Sequence, residues 1–184
     1  MHLESQNKIL QGCLEGNKAD QYRLYSHFSR KMYGVCLRFA TNYDEAQDIL
    51  QESFIKVFEK LSSFSGKGSL EGWIKRIVIN TAIEKYRDRI YHLSVHDITD
   101  NGHYAQENMG PSTLGIKDLL VFIQQLPVQY RLVFNLYAVE GMNHKEIGEA
   151  LGLSESTSRS NLSRARALLQ EKIKKEVRLS DKAV

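Results

Sequence analysis

The stretch from Gly141 to Leu168, GMNHKEIGEALGLSESTSRSNLSRARAL, constrains the fold most, because it predicts two short helices joined by a tight turn. Asn143 is a good N-cap, and Glu146 follows three residues later at the position of a capping box. Gly152 can adopt the left-handed conformation that ends a helix, and Ser154 can cap the next one. The apolar positions of the first helix have the i, i+3, i+4 spacing of a buried face: Ile147, Ala150 and Leu151.

The second of these helices combines an apolar stripe with a polar, basic face. Its expected buried positions are Leu162, Ala165 and Leu169. Short hydroxyl and amide side chains let a helix approach base edges, and arginine reaches guanine edges or phosphates. The candidate DNA-contacting residues are Ser156, Thr157, Arg159, Ser160, Asn161, Arg164 and Arg166. This pattern is typical of a helix-turn-helix, whose second helix enters the major groove. An ordinary amphipathic hairpin with a solvated face is the alternative.

Charge is distributed unevenly along the chain, although the formal net charge of its 184 residues is only +3. Residues 44–60 hold five acidic side chains against two basic ones, whereas residues 155–178 hold seven basic against three acidic. One surface therefore suits a basic protein partner and another suits a polyanion.

The sequence predicts a cytoplasmic protein without membrane insertion. It contains no apolar run long enough to cross a bilayer, and its first residues lack the pattern of a secretory signal. Two cysteines, Cys13 and Cys36, make no disulfide framework and no paired zinc ligands. We expect both to be structural thiols in a reducing compartment.

The first 91 residues predict an all-helical domain, since no proline occurs before Pro111 and strand signals are weak. Helices are expected over 3–14 and 18–41. Asp44 is expected to cap a third helix, and Ser69 to cap a fourth that is apolar over much of its girth.

Polar residues and glycine replace the helical pattern after about residue 91, which indicates a flexible linker that is long for a compact domain. The expected fold class is all-α, with two small helical domains joined by that linker. The expected boundaries are 1–91 for the first domain, 92–115 for the linker, 116–178 for the second domain and 179–184 for a disordered tail.

Two segments of the chain resemble the bacterial RNA polymerase sigma factors of the extracytoplasmic-function (ECF) group. DEAQDILQESFIKVFEKL, followed by SGKGSLEGWIKRIVINTAIEKYR, is similar to region 2 of that family. LPVQYRLVFNLYAVEGMNHKEIGEALGLSESTSRSNLSRARALL is similar to region 4. The resemblance covers about residues 10–91 and 116–172. The two motifs occur in the family's order with a linker between them.

The resemblance implies that an acidic helix binds the β′ coiled coil of core RNA polymerase and that the β flap is a further contact. The polymerase-binding residues carried over are Asp48, Gln51, Glu52 and Phe54. An acidic helix also suits a basic partner on electrostatic grounds. The alternative is a solvated charged face over a buried stripe.

The loop from Phe64 to Gly68 and the helix after it match the segment that melts and reads the −10 promoter element. The residues carried over are Lys67, Trp73, Lys75, Arg76, Asn80 and Lys85. Apolar pockets can accept unpaired bases, and basic side chains can bind the displaced strand. Trp73 and Asn80 could instead pack against and cap the core.

The helix from Ser156 to Arg166 matches the one that reads the −35 element, with two departures from the family pattern. Ser158 stands where an apolar residue is usual, which could weaken packing of the helix. Asn161 stands where arginine is frequent, and asparagine suits adenine.

The resemblance implies an alternative sigma factor that binds promoter DNA, has no enzymatic activity and uses no cofactor or metal. An anti-sigma protein is an implied partner. A stand-alone helix-turn-helix regulator is the main alternative, and an enzyme with a DNA-binding domain is a weaker one, because no catalytic motif occurs. His92, His96 and His103 in the linker have no cysteine near them and are expected to be ordinary polar residues.

Overall fold

The computed structural model describes residues 3–92 and 115–180, and all regular structure in these two ranges is helical. The expected all-α fold class is therefore confirmed for this part of the chain. Most of the expected linker and tail, including His96 and His103, lies outside the described residues.

Four helices form the first domain. They are α1 Leu3–Leu14, α2 Lys18–Phe39, α3 Tyr43–Lys60 and α4 Leu70–His92, with a short 3-10 turn Leu61–Ser63 before α4. Ser69 caps α4 as expected, because its Oγ accepts a hydrogen bond from the Gly72 amide at 3.0 Å. The prediction for α3 was wrong by two residues. Asn42, not Asp44, is its N-cap, and the Asn42 side chain accepts from the Glu45 amide at 2.8 Å.

Four further helices form the second domain. They are α5 Ile116–Gln124, α6 Val128–Phe134, α7 His144–Leu151 and α8 Glu155–Ser180. One π-helical turn, Asn135–Val139, follows α6 and leads into the loop before α7. Such a turn shifts the register of the side chains that follow it.

The core of the first domain is built where the apolar faces of α2, α3 and α4 meet. Phe39 of α2, Ile49 of α3 and Ile74 of α4 are fully buried, and each contributes about 1.5–3 kcal/mol by leaving water. Tyr86 of α4 is also buried, and its hydroxyl donates to Oε2 of Glu45 on α3 at 2.9 Å. This bond meets the requirement that a buried hydroxyl be paired.

The two domains pack directly against each other. Buried residues of α6, α7 and α8 belong to the same apolar cluster as those of α2, α3 and α4. Across this boundary, Nε2 of Gln124 donates to the carbonyl of Leu37 at 3.0 Å, and Nδ2 of Asn135 donates to the carbonyl of Arg38 at 2.7 Å. Both carbonyls lie in the last turn of α2, where a helix leaves such groups without internal partners.

Arg131 of α6 is buried at the same boundary, with 1% of its surface exposed. One guanidinium nitrogen, Nη1, donates to the carbonyl of Gln124 at 2.6 Å, and the guanidinium lies 5.6 Å from the centre of the Tyr86 ring. The other two nitrogens, Nε and Nη2, have no hydrogen-bond partner. Unpaired buried donors are costly, so this boundary is less well satisfied than a typical domain core.

Glu140, between the π-helical turn and α7, joins the domains through both carboxylate oxygens. Its Oε1 accepts from Arg38 of α2 at 2.9 Å, and its Oε2 lies 2.6 Å from Nζ of Lys75 on α4. The Glu140 side chain is only 8% exposed. The boundary between the domains therefore combines an apolar part with ion-paired and hydrogen-bonded side chains.

Candidate functional site

The helix-turn-helix forms as the sequence predicts. The Asn143 side chain accepts from the Glu146 amide at 2.9 Å, and the Glu146 carboxylate accepts from the Asn143 amide at 2.8 Å. Gly152 ends α7 in the left-handed conformation, with φ of 68°. Ser154 caps α8 by accepting from the Thr157 amide at 3.0 Å.

A close approach inside the turn was not expected. A Cβ atom added to Gly148 would lie 2.6 Å from the carbonyl oxygen of Leu153, which is backbone and cannot rotate away. The two helices can therefore meet at this point only because residue 148 has no side chain.

The outer face of α8 presents most of the side chains proposed to read DNA. The exposed members are Ser156, Arg159, Ser160, Arg164 and Arg166, and Thr157 is half-buried. Three arginines of this face have partners in the chain. Arg159 pairs with Glu155, Arg164 donates to the hydroxyl of Tyr130 at 3.3 Å, and the guanidinium of Arg166 lies 5.5 Å from the centre of the Tyr137 ring. These contacts hold long basic side chains in place before any ligand arrives.

Asn161 does not lie on this outer face. Its side chain is buried beside the apolar stripe, with 4% exposed, and its Nδ2 has no hydrogen-bond partner. In this arrangement of the helix the Asn161 side chain is not accessible to a base, and the expectation that it reads one stays a prediction. The stripe itself is as expected, because Leu162, Ala165 and Leu169 are all buried.

Ser158, the other departure from the family pattern, is fully buried. It does not leave its hydroxyl unpaired, because Oγ lies 3.0 Å from Nδ1 of His144 at the start of α7. The His144 ring in turn stacks on Tyr137, with centroids 4.7 Å apart and an interplanar angle of 22°. Sequence reasoning noted Ser158 but missed His144. The available signal was spacing, since His144 lies one helical turn before the buried Ile147.

The acidic surface lies on the outer side of α3. Asp48, Gln51 and Glu52 are exposed, and the Asp48 side chain is 69% accessible. Ile55 lies on the same helix and is also exposed, which gives the surface an apolar element. Phe54 is different, because it is buried and packs edge-on against Tyr25 with ring centroids 4.8 Å apart. Phe54 therefore supports α3 from inside in this structure, and its expected contact with a partner stays a prediction.

Basic side chains of the first domain partly neutralise the acidic surface. Lys56 lies 2.7 Å from Glu52 and 2.8 Å from Glu84, and Lys85 lies 3.5 Å from Asp48. Burial opposes the charged form of Lys56, but the hydrogen bonds to the two glutamates outweigh it and raise the Lys56 pKa. The acidic and basic faces expected from the sequence are therefore adjacent and partly paired.

The loop before α4 carries two glycines with positive φ, Gly66 at 73° and Gly68 at 86°. Lys67 between them is exposed. Trp73 is half-buried and packs on Phe64, with ring centroids 5.4 Å apart. Both aromatic rings therefore lie at the junction of this loop and α4.

The remaining −10 candidates differ in their accessibility along α4. Arg76 and Asn80 are exposed, and Lys85 is half-buried beside Asp48. Lys75 is half-buried and already bound to Glu140 of the second domain. Sequence reasoning did not single out Glu140, because no local pattern links it to an ion-pair partner 65 residues earlier in the chain.

Residues 3–92 and 115–180 contain no group of three or more side chains that could hold a metal ion. No helix in these ranges is long and apolar enough to span a membrane.

The fold defines a class: over the described residues, a two-domain, all-helical protein that contains a helix-turn-helix. Residues 24–90 match the family model for sigma-70 region 2, and residues 116–169 match the model for sigma-70 region 4. Together the two models cover more than half of the chain. The chain belongs to the ECF group of the bacterial RNA polymerase sigma factors.

Sequence relatives agree with this assignment, and one solved structure has a similar fold. The RNA polymerase sigma-H factor of Pseudomonas aeruginosa is 27% identical over 180 residues, which covers 91% of this chain and 93% of that protein. The ECF RNA polymerase sigma factor SigE of Mycolicibacterium smegmatis is 31% identical over 153 residues, covering 79% of this chain and 58% of that protein. The fold is similar to that of the sigma factor RpoE from Bartonella quintana, solved with the anti-sigma factor NepR. The TM-score is 0.54 at 23% identity, covering 84% of this chain and 97% of that one. Sigma factors initiate transcription and are not catalysts, so this chain is a transcription initiation factor.

Proposed function

We propose that this chain binds core RNA polymerase and directs it to promoters by reading a −35 element with α8 and a −10 element with the loop before α4 and with α4 itself. The observation that carries the proposal is the outer face of α8. It presents hydroxyls and arginines on a correctly capped helix-turn-helix, while an accessible acidic surface lies on a different domain. A protein that only bound DNA would not need that second surface.

At the −35 element, the major groove would receive the first turns of α8. Arg164 and Arg166 are long enough to reach guanine edges or phosphates, and Ser156 and Ser160 are short enough to let the helix approach closely. Asn161 takes no part, because its side chain faces the core.

At the −10 element, the strands must separate, and something must hold the unpaired bases. The Phe64 and Trp73 rings at the loop offer an aromatic surface, and the glycines on either side of Lys67 let backbone approach a base. Arg76 and Lys85 would bind the phosphates of the separated strands.

The proposal also includes a polymerase-binding surface formed by Asp48, Gln51 and Glu52, with Ile55 as an apolar neighbour. Exposed carboxylates steer a basic partner and fix its register. Phe54 would act only by holding α3 in place.

The decisive experiment adds the purified chain to core RNA polymerase and measures promoter-specific transcription on genomic fragments. We expect specific initiation with the chain and none without it. A stand-alone regulator would instead bind a palindromic duplex as a dimer and would give no initiation, and that result would refute the proposal.

Two pairs of variants then test the surfaces. Arg164→Ala should weaken promoter binding by about 10- to 100-fold, whereas Lys174→Ala, an exposed base further along α8, should change it little. Glu52→Lys should weaken polymerase binding, whereas Glu149→Lys on α7 should not. Equal behaviour within either pair would remove that surface from the proposal.

We extend the proposal to a cytoplasmic location and to control by an anti-sigma protein, as in the complex of the similar Bartonella quintana factor. Affinity capture with the full chain from its own cells tests this extension. Recovery of polymerase subunits but no further stoichiometric protein would contradict it.

A further inference from the structure

The contact between α7 and α8 contains a polar pair at a place where apolar packing is usual in a helix-turn-helix. Ser158 is fully buried, and its Oγ lies 3.0 Å from Nδ1 of His144. Because either group can donate, the pair satisfies a hydroxyl that would otherwise be buried without a partner. The bond therefore fixes the rotation of α8 about its own axis relative to α7.

His144 is also linked, through a second contact, to the face of α8 that is proposed to bind DNA. The His144 ring stacks on the Tyr137 ring, with centroids 4.7 Å apart. The guanidinium of Arg166 lies 5.5 Å from the centre of the same Tyr137 ring. Tyr137 belongs to the π-helical turn that follows α6. The side chains of His144 and Tyr137 thus connect the buried contact of α8 to Arg166, an exposed arginine proposed to contact DNA.

We propose that His144 is a positioning residue for promoter recognition. It sets the orientation of α8 through Ser158 and holds Arg166 for binding through Tyr137. This inference rests on the proposed function, because it assumes that α8 reads a DNA duplex. His144 itself need not touch the DNA.

The first test measures coupling between His144 and Arg166. Holoenzyme made with the full chain selects duplexes from a pool with randomised base pairs, and its Kd for the selected duplex is then measured. His144→Ala and Arg166→Ala should each weaken binding by about tenfold. The double variant should lose clearly less than the roughly hundredfold that two independent effects would give, because part of the His144 effect acts through Arg166. A role confined to folding would give multiplicative losses, and that result would overturn the inference.

The second test separates the buried bond from the ring stack. His144→Phe keeps a ring against Tyr137 but leaves the Ser158 hydroxyl without a partner, so binding should weaken by several-fold. Adding Ser158→Ala removes that hydroxyl and should restore most of the loss. His27→Phe, an exposed histidine on α2, is the matched control and should bind as the unmodified chain does.

The outcomes show whether the proposed function fails or only the role proposed for His144. If the unmodified chain selects no sequence, the proposed function fails and the inference fails with it. If the unmodified chain selects a sequence and His144→Ala binds that sequence equally well, only the role of His144 is refuted.

Discussion

Replacing Glu140 with glutamine should loosen the contact between the two domains. Glu140 accepts from Arg38 at 2.9 Å and lies 2.6 Å from Nζ of Lys75, so one carboxylate joins the second domain to two helices of the first. The substitution keeps the shape of the side chain but removes its charge. Any change in domain contact therefore reports on electrostatics and not on packing.

The magnitude follows from the burial of the three groups. Hydrogen bonds to charged groups contribute about 1.5–3 kcal/mol when buried, whereas exposed ion pairs contribute about 0–1 kcal/mol. The Glu140 side chain is 8% exposed, but those of Arg38 and Lys75 are 26% and 36% exposed and can regain water when the domains part. We therefore expect a total loss of about 1–2 kcal/mol, which raises the ratio of separated to docked domains by about 5- to 30-fold.

Single-molecule energy transfer between dyes on Ser26→Cys of α2 and Ser163→Cys of α8 measures this ratio, since both positions are exposed. The native thiols Cys13 and Cys36 are buried and should stay unlabelled. Raising the salt concentration should separate the domains of the unmodified chain more than those of the Glu140→Gln variant. Glu149→Gln, an exposed glutamate on α7, is the control. If Glu149→Gln and Glu140→Gln have the same ratio of separated to docked domains at every salt concentration, the role of Glu140 in the domain contact is refuted.

Two further predictions concern stability. Gly148→Ala should lower the free energy of unfolding, measured in urea, by about 1–3 kcal/mol, because the new methyl group would lie 2.6 Å from the Leu153 carbonyl oxygen. The control is Gly34→Ala, which lies in open space on α2 and should stabilise the chain slightly. An unchanged free energy of unfolding for Gly148→Ala would contradict the close approach. Burial raises the pKa of the Cys36 thiol from 9.0 to about 12, so the folded chain keeps a proton that the unfolded chain loses above pH 9. The Cys36 thiol should therefore not affect the free energy of unfolding below pH 9, and should lower it as the pH rises from 9 towards 12. Cys36→Ala should reduce that fall. If the free energy of unfolding depends on pH in the same way in both chains, Cys36 is not its cause.

Local rules were sufficient to predict the helix-turn-helix. The capping box of Asn143 and the left-handed Gly152 depend on residues within a few positions of one another, and both are confirmed. The same holds for the cap at Ser69. Only Asn42 and Asp44 were confused, because both are good caps and lie two residues apart.

Two residues of the candidate site differ from expectation in the direction that their side chains face. Phe54 and Asn161 have the right chemistry for their expected roles, but both lie on the inner side of a helix. For both residues, helical spacing already indicates a position on the inner side of the helix. Phe54 lies four residues after the buried Leu50, and Asn161 lies four residues before the buried Ala165. The polar face of a helix cannot be read from residue type alone.

The contacts of Glu140 and Arg131 could not have been predicted from the sequence. Glu140 pairs with Arg38, which precedes it by 102 residues, and Arg131 lies over Tyr86 of the other domain. Such pairs depend on how the two domains dock. No spacing rule within either unit specifies that arrangement.

The direct contact between the domains affects how the chain can bind two DNA elements that lie far apart. By their names, the −35 and −10 elements proposed as targets lie about 25 base pairs apart, or roughly 85 Å of duplex at about 3.4 Å per base pair. In the structure a carboxylate of one domain lies within 2.6 Å of an amine of the other. If the two domains part to bind both elements, the contact between Glu140 and Lys75 is lost, and its free energy is subtracted from the free energy of promoter binding.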